Sequence, residues 1–331
     1  MKKGIIPLLA VLLFVVSCTE SAKIEATSIE LSTHELPLDR GASEILTVTF
    51  NPSNTTDKNL TWVSTNPDVA TVNDGVVVGM SIGQADIIVK SVNLSDKCVV
   101  TVSVPFNKVD MGFTMTAKDG HIYKVYWGEC NLGASSPYEN GDSYAWGEIT
   151  TKTDYSDKTY KWYLDGDNEK TIKYGVAPCS HKDYIDNKTV LELEDDAAHM
   201  NLGGAWRIPT EEETKQLLSL CDWTYTIKNG VEGYVAKSKV NNNELFIPFS
   251  KRFFKTKEEN QGGGILFWTS SLNYDEDEEG IEYMSTAGGG PRPSPIIVDR
   301  QVVGYDAPYY PGGGYRQFGH PVRPVYEESI E

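Results

Sequence analysis

Between Ile29 and Val104 the hydrophobic positions recur with a period of two. The run ILTVTF places Leu46, Val48 and Phe50 on one face, and CVVTVSV does the same with Cys98, Val100, Val102 and Val104. This is the alternation of strands buried on one side. Shorter β-like runs lie around Trp62, Val72, Val76–Val78 and Ile87–Val89, punctuated by the turn sequences NPSN, NPD and NDG. The last of these is a hairpin signal. Short strands at this spacing predict an all-β sandwich. Cys98 shares the inward face of its strand and is expected to be a buried free thiol.

Around VPFNKVD the alternation stops. From 106 to 328 the chain is rich in Trp, Tyr, Gly and Asp, with long irregular stretches and few helix signals. One signal is EDDAAHM, where Asp195 and Asp196 suit a first turn because acids complement the positive end of the helix dipole. The other is GGAWRIPTEEETKQLL. Thr210 followed by Glu213 forms a capping box, each side chain satisfying a backbone N–H, and Pro209 keeps the preceding chain extended. Thr214, Leu217, Leu218 and Cys221 then define one apolar stripe, while Glu211 and Glu212 occupy the first turn. The three adjacent acids therefore read as a helix start and not as an active site.

At the N-terminus, MKK precedes the 13-residue apolar run GIIPLLAVLLFVV, too short to span a bilayer. It leads into Val15–Cys18, VVSC, which resembles the lipobox of bacterial lipoproteins. The resemblance implies that Cys18 becomes the acylated N-terminus, anchoring the protein to a membrane without crossing it. An outer-membrane lipoprotein at the cell surface is expected; with Glu20 the only nearby acid, a periplasmic orientation stays open. A formal charge of −17 repels phosphates and anionic lipids, which excludes nucleic acid as a partner and leaves the lipid anchor as the sole membrane contact. Cys98, Cys130, Cys179 and Cys221 form no dense framework, and their spacing selects no disulfide pairing.

Two longer resemblances organise the chain. WVSTNPDVATVNDGVVVGMSIGQADIIV, with Trp62, Ser64, Val69-Ala70, Gly75, Gly79, Gly83 and Ala85, resembles the bacterial immunoglobulin-like group 2 domain, a spacer or adhesion module in which Trp62 would fill the core. GGAWRIPTEEETKQLL resembles the hallmark of C-type-lectin-like folds. Together with YWGECNLGASSPYENGDSYAWGE, LELEDDAA, CDWTY, GYVAKS, LFIPF, FWTSSL and GHPVRPV it is most similar to the Fibrobacter succinogenes major paralogous domain, a family abundant in lipoproteins of Bacteroidetes. The partition that follows is a lipoprotein signal peptide (1–17), a lipidated linker (18–27), an Ig-like sandwich (28–105) and an α+β C-type-lectin-like domain with long loops (106–328).

The chemistry points to binding. The Glu-Pro-Asn and Gln-Pro-Asp tripeptides of calcium-dependent lectins are missing, and Trp268 is followed by Thr269-Ser270-Ser271, whose hydroxyls are poor calcium ligands. Formylglycine-generating enzymes share the Trp-Arg-x-Pro-Thr segment but need late cysteines, and none follows Cys221. No metalloprotease, nucleophile-elbow or phosphate-loop motif occurs, and the five histidines are scattered. No enzyme activity and no cofactor are expected. DGDNE offers Asp165, Asp167 and Glu169 either as an ion site or as a solvated turn, without the Gly and distal Glu of an EF-hand. DEDEEG reads as a solvated loop. Near the C-terminus, Tyr305, Tyr309, Tyr310, Tyr315 and Arg316 lie in Gly/Pro-rich loops; such groups suit sugar stacking or protein contact, or else pack beneath their own loops. The expected function is an Ig-like stalk presenting a lectin-like head to a glycan or surface protein. A structural or tip subunit of a surface assembly is the alternative.

Overall fold

The computed structural model describes residues 23–175, 185–260, 264–273, 275–276, 282–283, 292–295 and 315–330. Cys18, Cys179, Tyr305, Tyr309 and Tyr310 lie outside the described residues, as does most of DEDEEG. The alternating stretch forms β1 (Ser28–Leu31), β2 (Glu35–Asp39), β3 (Ser43–Ile45), β4 (Val48–Asn51), β5 (Thr61–Ser64), β6 (Ala70–Asn73), β7 (Val76–Gly79), β8 (Gly83–Ser91) and β9 (Leu94–Ser103). One sheet has the order β2-β9-β8-β5, with β2 parallel to β9; opposite it lie the β3-β7-β6 sheet and the β1–β4 pair. Ile29, Leu31, Phe50, Val77, Ile87 and Val100 meet between them in one core. Cys98 is a buried free thiol whose pKa burial pushes upward. Trp62 packs against this core, partly buried.

The NDG sequence turns β6 back onto β7, with Asn73 facing Val76 and both central residues in the left-handed region, Asp74 at φ 49° and Gly75 at φ 83°. That pairing of dihedrals is the one that matches strand twist in a two-residue hairpin. Gly75 has a second constraint, because a Cβ there would lie 2.7 Å from the Leu46 carbonyl and 3.3 Å from the Trp62 ring. Gly75→Ala is therefore expected to destabilise the Ig-like unit by more than about 1 kcal/mol. Urea unfolding followed by Trp62 fluorescence checks this, and an unchanged midpoint would contradict it.

Val104, the last member of the predicted inward series, leaves the sandwich. Its amide donates to the Leu202 carbonyl (2.7 Å), and its side chain packs in the following unit. That unit is built mainly of strands: β10 (Lys108–Thr116), β11 (Ile122–Gly128), β12 (Ser143–Tyr144), β13 (Tyr163–Leu164) and β14 (Asp167–Thr171), then α1 (Ala197–Leu202), β15 (Trp206–Arg207) and α2 (Glu211–Ser219). There follow β16 (Cys221–Lys228), β17 (Val231–Ser238), β18 (Glu244–Pro248), β19 (Lys251–Phe254), β20 (Lys257–Asn260), β21 (Trp268–Asn273), β22 (Asp275–Glu276), β23 (Glu282–Tyr283), β24 (Arg292–Pro295), β25 (His320–Pro321) and β26 (Val325–Ser329). The sheet β10-β11-β26-β15 joins the first and last strands of the unit, and β16-β17-β18 forms a second sheet. Phe113, Trp127, Leu217, Tyr234, Phe267 and Val325 fill one core; Trp146, Tyr174, Trp206, Ile208, Trp268 and Val322 fill the other.

Both predicted helices form, with altered ends. The capping box of α2 is complete: Glu213 N–H donates to Thr210 Oγ1 (3.2 Å) and Thr210 N–H to Glu213 Oε2 (2.7 Å). Thr214 and Leu217 are buried as the stripe requires, but the helix stops at Ser219 and Cys221 opens β16. The reason lies in CDWTYTIK, whose β-branched and aromatic residues pair with β17 along the whole strand. Burial pushes the Cys221 thiol up to about 12. In α1 the cap is Asp196, accepting from His199 N–H (2.9 Å), and Asp195 falls in a preceding 3-10 turn instead of the first helical turn.

Candidate functional site

A cleft of about 530 Å³ lies on the C-terminal unit, assembled from four distant segments. Tyr155 begins the first wall: its N–H donates to the Lys255 carbonyl (2.9 Å), which ties the 155–158 turn to the tip of the β19–β20 hairpin. Phe253 exchanges two backbone hydrogen bonds with Gly319, holding the 315–319 turn against the same hairpin. Gly319 is required there because a Cβ would lie 2.7 Å from the Tyr155 ring. The β13–β14 turn closes the third side through Gly166 and Asn168.

The floor is aromatic and the lining polar. Phe318 packs edge-on to Phe254 (4.9 Å between centroids) and beside Tyr315 (5.1 Å), with Phe254 and Tyr315 only half-buried. Gln317 is buried and oriented at both ends: Tyr163 OH donates to its Oε1 (3.2 Å), and its Nε2 donates to Asp157 Oδ1 (2.5 Å). Burial pushes the Asp157 carboxyl above its usual range, opposed by the Lys255 ammonium. The volume lies within the roughly 300–1,000 Å³ of small-molecule sites, and half-exposed rings with a few fixed polar groups are what such sites use for stacking and orientation. Tyr315 was legible as a candidate from sequence; Tyr155, Asp157, Phe254 and Gln317 were not, since no local pattern links them.

Arg316 requires a correction. It was expected beside Tyr315 at a ligand, but it is 4% exposed, donates Nη1–H to the Tyr174 carbonyl (3.0 Å) and lies over the Trp146 ring (5.3 Å). The turn closed by Phe318 N–H and the Tyr315 carbonyl (3.0 Å) sends adjacent side chains in different directions. Asp165 lies with Gly166 in the two-residue turn between β13 and β14, both at positive φ, and is exposed. Asp167 pairs with Lys170 (2.8 Å). The side chain of Glu169 lies outside the described residues.

The carboxylates that do converge are Glu192, Glu194 and Asp195. The Lys173 ammonium sits among them at 2.6, 2.9 and 2.5 Å, and Tyr174 OH donates to Asp195 (2.7 Å). Burial acts to lower the Lys173 pKa, but the hydrogen bonds to Asp195, Glu192 and Glu194 outweigh it and raise it. A protein cation thus fills the centre of this cluster.

The acids behind the Trp-Arg pair are structural. Glu213 is wholly buried, and Arg207 reaches it through both guanidinium nitrogens (2.8 and 2.5 Å) while also holding Glu327 (2.9 Å). Burial acts to raise the Glu213 pKa, yet Arg207 holds it below the ordinary carboxylate value. Tyr123 OH donates to the same carboxylate, and burial pushes its phenol up to about 12.

Residues 25–102 match the family described as bacterial Ig-like domain (group 2), placing that domain at the N-terminal side of the chain. A search of curated proteins gives no match. Among solved structures, the crystal structure of domains 4 and 5 of the S-layer protein SbsC is 22% identical with a TM-score of 0.22, covering 24% of this chain and 53% of that one. Domains 5–6 of SbsC are 14% identical with a TM-score of 0.23, covering 67% of this chain and 96% of that one. The chain therefore spans about half the length of the first of these structures. TM-scores this low define neither a fold nor a function for the chain. Among the described residues no helix is long and apolar enough to cross a membrane.

Proposed function

We propose that this is a lipid-anchored cell-envelope binding protein in which the Ig-like unit is a stalk and the C-terminal unit, a C-type-lectin-like head of the Fibrobacter succinogenes major paralogous type, holds a glycan or protein ligand. The observation that carries the reading is the cleft where Phe254, Tyr315 and Phe318 border the fixed amide of Gln317 and the carboxylate of Asp157. Ring faces stack on the apolar faces of sugars, and oriented amide and carboxylate groups pair with hydroxyls. The group 2 Ig-like match supports the stalk, and the VVSC sequence ending at Cys18 supports the lipid anchor. Binding is read here without catalysis and without a cofactor.

A glycan array probed with the full chain in mild detergent, with and without calcium, tests this. Calcium-independent binding that falls at least tenfold in Tyr315→Ala is the expected result. Silence across the array from a protein with an unaltered circular dichroism spectrum would remove glycans and leave a protein ligand.

A further inference from the structure

The charge distribution around the cleft narrows the ligand. The chain carries a formal charge of −17, and the neighbouring Lys161, Lys170, Lys173 and Lys251 each hold a carboxylate at 3.2 Å or less. Lys158 and Lys255 do not. Both are exposed, both line the cleft, and neither forms an ion pair among the described residues. They flank Asp157, whose Oδ1 accepts from Gln317 while Oδ2 has no donor among the described residues. The mouth of the cleft therefore offers two ammoniums without an ion-pair contact among the described residues, Lys255 acting on Asp157 only through space, and its interior offers an acceptor that needs a hydroxyl or N–H donor.

We infer that the cleft binds an acidic saccharide, its pyranose face on Tyr315 and Phe254, its hydroxyls on Asp157 and Gln317, and its carboxylate between Lys158 and Lys255. This inference rests on the reading of the head as a glycan-binding unit. A neutral sugar leaves both ammoniums unused. A string of acidic peptide side chains satisfies the lysines but crowds carboxylates against Asp157, which repels them. A ligand that carries hydroxyls and a single negative group matches both halves of the lining. Because the lysines are exposed, their attraction is screened by salt, whereas stacking is not.

The test is isothermal titration of the full chain with oligosaccharides ending in glucuronic, galacturonic or sialic acid, with the methyl ester of each, and with triglutamate. At least one free acid is expected to bind ten times or more tighter than its ester, with the advantage shrinking in 0.5 M salt relative to 0.05 M (about 4 versus 14 Å of screening length). The double variant Lys158→Gln/Lys255→Gln should lower binding of the acid to the level of the ester and leave the ester unchanged. Equal binding of acid and ester by the native chain would overturn the acidic preference while sparing the glycan reading. No binding of any sugar by a folded chain would remove both. Triglutamate binding as tightly as the best acid would overturn the saccharide assignment in favour of an acidic protein partner.

Discussion

Replacing Arg207 by methionine is expected to lower the stability of the head by about 3–5 kcal/mol, the usual cost of stranding one member of a buried ion pair. Glu213 has no exposed surface, and Arg207 is the cation on its two oxygens. Without the guanidinium, the carboxylate keeps the Thr210 amide and the Tyr123 hydroxyl as donors. The control is Arg207→Met/Glu213→Gln. Glutamine keeps an oxygen for the Thr210 N–H but carries no charge, so the double variant should recover a substantial part of the loss. Guanidinium unfolding of the full chain, with the head and Ig-like transitions fitted separately, measures both. A loss below about 1 kcal/mol in the single variant, the range of exposed pairs, would mean that water relieves Glu213 and that the pair is not a buried one. The depressed Glu213 pKa adds a sign: this stability is present above pH 4.5 and is lost as pH falls through the lower folded value.

The second large effect concerns His320. Its ring lies 4.3 Å from Trp268 and near Phe318, and neither nitrogen has a hydrogen-bond partner among the described residues. Burial, reinforced by the Arg252 charge, pushes its pKa down to about 3 from 6.5. The unfolded chain therefore binds this proton first, and acidification from pH 6.5 to 4.5 removes about 2 kcal/mol of stability through this one residue. Asp196 acts in the opposite sense. Burial pushes its carboxyl up to about 6, so the folded head takes up that proton first and gains about 1.5 kcal/mol between pH 6 and 4.5. In His320→Phe, which replaces the imidazole by a ring of similar shape, only the gain remains. The stability difference between variant and native chain should grow by about 2 kcal/mol between pH 6.5 and 4.5. Urea midpoints at five pH values settle it; a difference that does not move with pH would show that the native imidazole is already protonated or hydrated when folded.

The parts of the fold legible in the sequence are those fixed by neighbours in the chain. The NDG hairpin follows from two left-handed residues between alternating strands, and the Thr210–Glu213 cap follows from a spacing of three. The inward face of Cys98, Val100 and Val102 follows from a period of two. The end of α2 was less legible because Cys221 fits a helical stripe and a strand face equally, and only the partner strand β17 decides between them. The cleft was the least legible. Tyr155, Asp157, Phe254 and Gln317 are brought together by the Tyr155–Lys255 and Phe253–Gly319 backbone pairings, and nothing in their immediate surroundings marks them as partners. Arg316 was misjudged for a related reason: an Arg next to a Tyr in a Gly-rich loop has the composition of a binding surface, but the turn at 315–318 gives one residue to the cleft and the other to the Trp146 ring.

The parallel pairing of β2 with β9 has a mechanical consequence. Beyond β1, a pull between the two ends of the Ig-like unit enters the sheet at Glu35 and leaves it at Ser103, at opposite ends of a ladder in which Glu35 faces Val99 and Asp39 faces Ser103. The load runs along the strands and stretches the whole ladder at once, so its hydrogen bonds must yield together and not one after another as in an unzipping hairpin. The sandwich is a shear clamp, built to stay shut under tension along the chain.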